Sequence, residues 1–144
     1  MTAPQSSFGQ TLANAEQALT ARLRRHLAER GTTPETWYVL QVITTYGPRL
    51  ARRTLSDRLE GSPTLTPGST RELLARLEAE GLIRGDEEVD LTAEGEALHR
   101  SLREYIAGPT ARLLGRFPAA DIETTMRTLQ AITERAAEEL AEAG

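Results

Sequence analysis

A mainly α-helical chain carrying one small two-stranded hairpin is what this sequence predicts, and three observations predict it. Apolar residues recur at spacings of three and four along most of the length. The two short stretches with strand character, Leu82-Ile83 and Val89-Asp90-Leu91, are separated by a Gly85-Asp86 turn signal. Proline or glycine marks the junctions between the helical stretches.

The first helix is expected over Phe8–Glu29, where Phe8, Leu12, Ala15, Leu19, Leu23 and Leu27 fall at helical spacing before Gly31. Thr33-Pro34-Glu35 reads as an N-cap with proline at the first helical position. The helix it opens presents Trp37, Leu40, Val42 and Ile43 and stops at Tyr46-Gly47-Pro48. A short helix over about Arg52–Glu60 puts Leu55 and Leu59 on one face, and Gly61-Ser62-Pro63 breaks it. Thr66-Pro67 caps the next helix, which runs to about Glu80 with Thr70, Leu73, Leu74 and Leu77 as its inner face, and Gly81 closes it. After the hairpin, Thr92 caps a long helix whose stripe is Leu98, Leu102, Tyr105, Ile106, Leu113, Leu114 and Phe117, interrupted at Gly108-Pro109. Past Phe117-Pro118 a last helix carries Ile122, Met126, Leu129, Ile132, Ala136 and Leu140.

Composition narrows the chemistry. The 144 residues fit one domain or one protomer of an oligomer. There is no cysteine, which removes disulfides, thiolate metal sites, Cys nucleophiles and thiol redox sensing. Two histidines, His26 and His99, are too few for a His-rich metal site, and the sequence calls for no cofactor. No apolar run approaches the roughly 18 residues of a membrane span, so a cytoplasmic protein without a membrane partner is expected. No nucleophile–base spacing points to an enzyme. The net charge of −4 is uneven: residues 1–48 carry +1, residues 49–85 carry +2 and residues 86–144 carry −7. All 17 basic residues are arginines, each a planar fork suited to phosphate or carboxylate. A net-acidic chain with a mildly basic middle is compatible with a local nucleic-acid surface.

The order of elements is a winged helix-turn-helix between long flanking helices. Residues 33–92 form the DNA-binding module, in which two helices joined by a turn and followed by a hairpin offer one helix to the major groove. Residues 1–32 and 93–144 supply dimerisation helices, whose apolar faces a 60-residue module cannot cover alone. A symmetric pair presents two reading helices roughly 34 Å apart.

From about Phe8 to Leu140 the chain resembles the MarR family of bacterial transcriptional regulators. The matching stretch is RELLARLEAEGLIRGDEEVDLTAEG, Arg71 to Gly95. Within it, LLARLEAEGLI is similar to the end of the family's recognition helix and the start of its wing. Leu91-Thr92-Ala93-Glu94-Gly95 is similar to the family's LT-x-x-G step out of the wing. The resemblance implies a homodimer, double-stranded DNA with a pseudo-palindromic operator as partner, a repressor role, and release by a small anionic or aromatic effector. One departure is plain. The family wing usually carries Asp-x-Arg, whose Arg reaches the minor groove, whereas the tip here holds Asp86, Glu87 and Glu88. Carboxylates aimed at phosphates repel them. That departure keeps a rival open, a small-molecule-binding protein or co-opted enzyme of the same fold without DNA binding. A second rival is a helical protein that heterodimerises with another regulator.

Candidate DNA contacts are Thr66, Pro67, Gly68, Ser69 and Arg71 at the start of the reading helix, with Arg71 able to pair bidentately with guanine. Its alternative is an ion pair with Glu72 or Glu78. Arg52 and Arg53, with Arg49 before them, are candidate phosphate contacts, as is Arg84 at the wing base. Candidate effector contacts are Trp37 and Tyr38, as stacking groups, and Arg22 and His26, with Arg24 and Arg25 nearby, as anchors for a carboxylate. The ordinary alternatives are a core tryptophan and a salt-bridged helix face.

Overall fold

The computed structural model describes residues 4–60, 65 and 67–143. It is a mainly α winged helix: α1 (Pro4–Ala28), α2 (Pro34–Tyr46), β1 (Leu50–Ala51), α3 (Arg52–Glu60), α4 (Pro67–Ala79), β2 (Ile83–Arg84), β3 (Glu88–Leu91), α5 (Ala93–Leu114) and α6 (Ala119–Ala143). The chain divides into two compact units, Met1–Ile106 and Ala107–Gly144.

The helix boundaries follow local chemistry. The Thr33 hydroxyl accepts from the Thr36 N–H at 3.2 Å, and Pro34 occupies the first turn of α2. The Thr92 hydroxyl accepts from the Gly95 N–H at 3.0 Å at the start of α5 and donates to the Gly81 carbonyl at 2.5 Å. That one side chain ties the end of the α4 turn to the exit from the wing. Gly85 has φ 106, and a Cβ there would run into the Glu88 carbonyl, so the wing turn requires glycine.

The core lies in the first unit. Leu27 of α1, Val39 and Leu40 of α2, Leu55 and Leu59 of α3, Leu77 of α4 and Val89 of β3 are fully buried. The expected inner face of α4, Thr70, Leu73, Leu74 and Leu77, is buried throughout. At about 1.5–3 kcal/mol for each large apolar side chain, this cluster is what holds α4 against α3 and β2. In the second unit, α6 buries no side chain and exposes Met126, Ile132 and Leu140.

Three expectations need revision or fall outside the described residues. The wing gains a third strand, giving the antiparallel order β1-β3-β2, with Leu50 opposite Val89 and Ile83 opposite Leu91. Next, α5 runs unbroken through Pro109, so the expected interruption at Gly108-Pro109 is not a break. The proline ring removes one main-chain hydrogen bond, and the turns on either side carry the helix past it. Third, the Gly61-Ser62-Pro63 break and the Thr66 cap lie outside the described residues.

Gly95, in the first turn of α5, is buried, and a Cβ there would strike the Leu82 carbonyl oxygen, with the Leu91 side chain a further 3.4 Å neighbour. Backbone cannot swing aside as a side-chain tip can. Gly95→Ala is therefore expected to lower stability by about 1–3 kcal/mol, read as a shift in the urea midpoint. An unshifted midpoint shows that α5 and the Leu82 turn are not in close contact.

Candidate nucleic-acid interface

Helix α4, the expected reading helix, divides cleanly by face. Thr70, Leu73, Leu74 and Leu77 point inward, while Gly68, Ser69, Arg71, Glu72, Ala75 and Arg76 are exposed. The inner set is held by burial, so the outer set is presented on a fixed rod. Arg71 forms neither of the two ion pairs that its ordinary reading allowed, with Glu72 or Glu78. Arg76 lies 3.8 Å from Glu80, one helical turn on. Pro67 sits at the first position of α4.

The arginines of α3 and the wing have different surroundings. Arg53 is exposed at the start of α3. Arg52, one residue earlier, is half-buried and spent within the fold. Its Nε donates to the Asp86 carbonyl at 2.8 Å, its Nη2 to the Gly85 carbonyl at 2.9 Å, and its guanidinium also pairs with Glu78. Arg84 is exposed on the outer face of the small sheet, opposite Asp90 in register, since Ile83 and Leu91 take the inner face. It lines an open cleft of about 430 Å³ with Thr44, Asp90 and Glu96. Arg49 has φ 55, a left-handed conformation, and its N–H donates to the Asp90 carboxylate at 2.6 Å. Asp86, Glu87 and Glu88 are exposed at the wing turn.

The four expected effector contacts are not all brought together. Trp37 and Tyr38 line a cavity of about 210 Å³ with Glu16, Leu23, Glu35 and Leu65, and Arg22 and His26 are not among its walls. His26 instead meets the Tyr105 ring edge-on at 6.4 Å. The basic group beside the cavity is Arg24, which pairs with the Glu35 carboxylate at 2.9 and 3.2 Å. That hydrogen bond holds Glu35 below the usual carboxylate range, with burial opposing it. A second cavity of about 300 Å³ shares Glu35 and Leu65 and extends to Ser69, Leu73 and Arg76 of α4. Leu65 is thus a wall common to the aromatic cavity and to the flank of α4.

Sequence reasoning missed His99. Its ring is buried and stacked on Trp37, with centroids 5.2 Å apart and planes 11° apart, and its Nε2 lies 2.6 Å from the Gln41 amide oxygen. The signal available was position: His99 falls three residues before Leu102 and four after Gly95, both buried. Burial, and then the charge of Arg103, lower its pKa below the usual 6.5. The unfolded chain therefore takes up the proton first. The stability that neutral His99 contributes is present above pH 6.5 and is lost as pH falls from there toward the lower folded value. Thermal unfolding between pH 7.5 and 5 should show this loss in the wild type and a smaller one in His99→Gln. Equal losses in both would assign it to other groups.

No protein-family model matches the sequence, and no curated protein matches it. Solved structures do. A MarR-family transcriptional regulator from Rhodococcus sp. RHA1 superposes with a TM-score of 0.75 at 18% identity, covering 92% of this chain and 97% of that one. A Mycobacterium tuberculosis MarR-family protein in complex with DNA gives 0.68 at 24% identity, covering 86% and 95%. CouR from Rhodococcus jostii RHA1 bound to p-coumaroyl-CoA gives 0.74 at 18% identity, covering 92% and 95%. The chain has the fold of the MarR-family regulators.

Proposed function

We propose that this chain is a DNA-binding transcriptional regulator, a cytoplasmic homodimeric repressor that reads a pseudo-palindromic operator through α4 and is released by a small aromatic or anionic effector. The observation that carries the reading is the outer face of α4, where Arg71 is exposed beside Gly68 and Ser69 on a helix anchored by Thr70, Leu73, Leu74 and Leu77. Neighbours of the same fold have been crystallised with DNA and with p-coumaroyl-CoA, which supports both kinds of partner. The homodimer is supported by apolar surface that one chain leaves open: Phe8, Leu12 and Leu19 on α1, and Phe117, Met126 and Ile132 in the second unit.

The effector site in this reading is the cavity at Trp37 and Tyr38, whose volume of about 210 Å³ suits a single aromatic ring. Leu65 supplies the coupling, because it faces that cavity and the flank of α4 at once. A ligand that displaces Leu65 biases the position of the reading helix. Differential affinity of a few kcal/mol between two positions suffices to switch binding.

The test is selection of duplexes from a random pool at low salt, followed by salt titration of the enriched sequence. The expected result is a pseudo-palindrome with half-sites about 10–10.5 bp apart. Affinity should fall with salt at a slope of about 0.9 per phosphate contact. If a folded preparation enriches no sequence, the reading fails, and the acidic wing marks a small-molecule-binding protein of this fold instead.

A further inference from the structure

We propose that Arg52 is a positioning residue that clamps the wing turn, and that it does not contact phosphate. Four interactions converge on it. Its main-chain N–H donates to the Glu87 carbonyl at 2.8 Å. Its Nε donates to the Asp86 carbonyl at 2.8 Å, and its Nη2 to the Gly85 carbonyl at 2.9 Å. The same Nη2 pairs with the Glu78 carboxylate. Three consecutive carbonyls of the wing turn, 85 to 87, are therefore satisfied by one residue at the head of α3, which is itself braced by a residue near the end of α4. The turn cannot lean on side chains of its own, since Asp86, Glu87 and Glu88 are exposed and Gly85 has none.

Only a guanidinium fits this arrangement. Its donors lie in one rigid plane and reach adjacent acceptors together, whereas an ammonium is a point charge on a flexible stem. A phosphate contact makes the opposite demand: it needs those donors turned outward and accepts Lys nearly as well. The neighbouring Arg53 is the exposed one of the pair. The clamp also gives the acidic wing a purpose. Held still, the three carboxylates stay beside the reading helix and disfavour any duplex that α4 does not grip. Released, they swing clear, and indiscriminate binding improves.

This consequence rests on the proposed DNA reading, whereas the clamp itself does not, and the experiment separates the two. Amide exchange over residues 85–89 is measured in the free protein for wild type, Arg52→Lys, Arg52→Gln and Glu78→Gln. The expected result is at least tenfold faster exchange in both Arg52 variants, with no rescue by lysine, and an intermediate rate in Glu78→Gln, which leaves the arginine in place if the Arg52 variants fold poorly. Binding to a random duplex is then titrated with salt. Arg52→Lys should bind several-fold tighter than wild type with an unchanged salt slope. Wild-type exchange rates in Arg52→Lys overturn the clamp. So does a slope that drops by about 0.9 in Arg52→Gln and is restored by lysine, which is the signature of a phosphate contact. Should no variant bind any duplex, the regulator reading fails while the exchange rates still decide the clamp.

Discussion

Leu77→Ala is expected to lower the free energy of unfolding by roughly 2–5 kcal/mol. The side chain has no exposed surface, and it lies in one cluster with Leu55, Leu59, Leu74 and Ile83. Truncation removes three carbon atoms from a site enclosed by two helices and a strand, which cannot all relax into the space. Arg76→Ala, one residue away on the exposed face, is the control and should change stability by no more than about 0.5 kcal/mol. If the two substitutions shift the urea midpoint alike, α4 is not held by its inner face, and the fixed rod on which the proposed function depends is lost.

Arg71→Ala should cost about 1–3 kcal/mol of binding to the selected operator, a loss of roughly 5- to 150-fold, with unfolding unchanged. Nothing within the fold depends on this side chain: it is exposed on α4 and absent from the core cluster. Its value must come from a partner. The informative comparison is with a random duplex in the same titration. A base reader loses affinity for the operator and much less for random sequence, while a phosphate contact loses both equally. Equal losses reassign Arg71 to the backbone, and no loss at all removes it from the interface.

Legibility followed the range of the interactions. The Thr33-Pro34 cap, the Thr92 cap, the Gly85 turn and the four-residue inner face of α4 are local devices, written within a few residues of one another, and all are where the sequence puts them. Strand β1 was not legible: two residues carry no period, and Leu50 is extended because Val89, far along the chain, pairs with it. The Arg52 grip has the same character, since it depends on Glu78 and on a turn more than thirty residues away. The core position of His99 was not legible because apolar periodicity leaves no place for a histidine that burial keeps neutral. Of the residues expected around an effector, Trp37 and Tyr38 were legible as a pair, and they line one cavity. The basic residue beside it was not, because Arg22 and Arg24, two residues apart on α1, differ in facing by about 160°, and it is Arg24 rather than Arg22 that meets Glu35.

The division at Ile106 has an optical consequence. Trp37, the one tryptophan, and Tyr38, Tyr46 and Tyr105 all lie in the first unit. Intrinsic fluorescence therefore watches only that unit, whereas far-ultraviolet ellipticity sums over both and takes a large share from α6. Superimposable denaturation curves from the two signals would mean that the units melt as one. Divergent curves would mean that a single melting temperature describes neither.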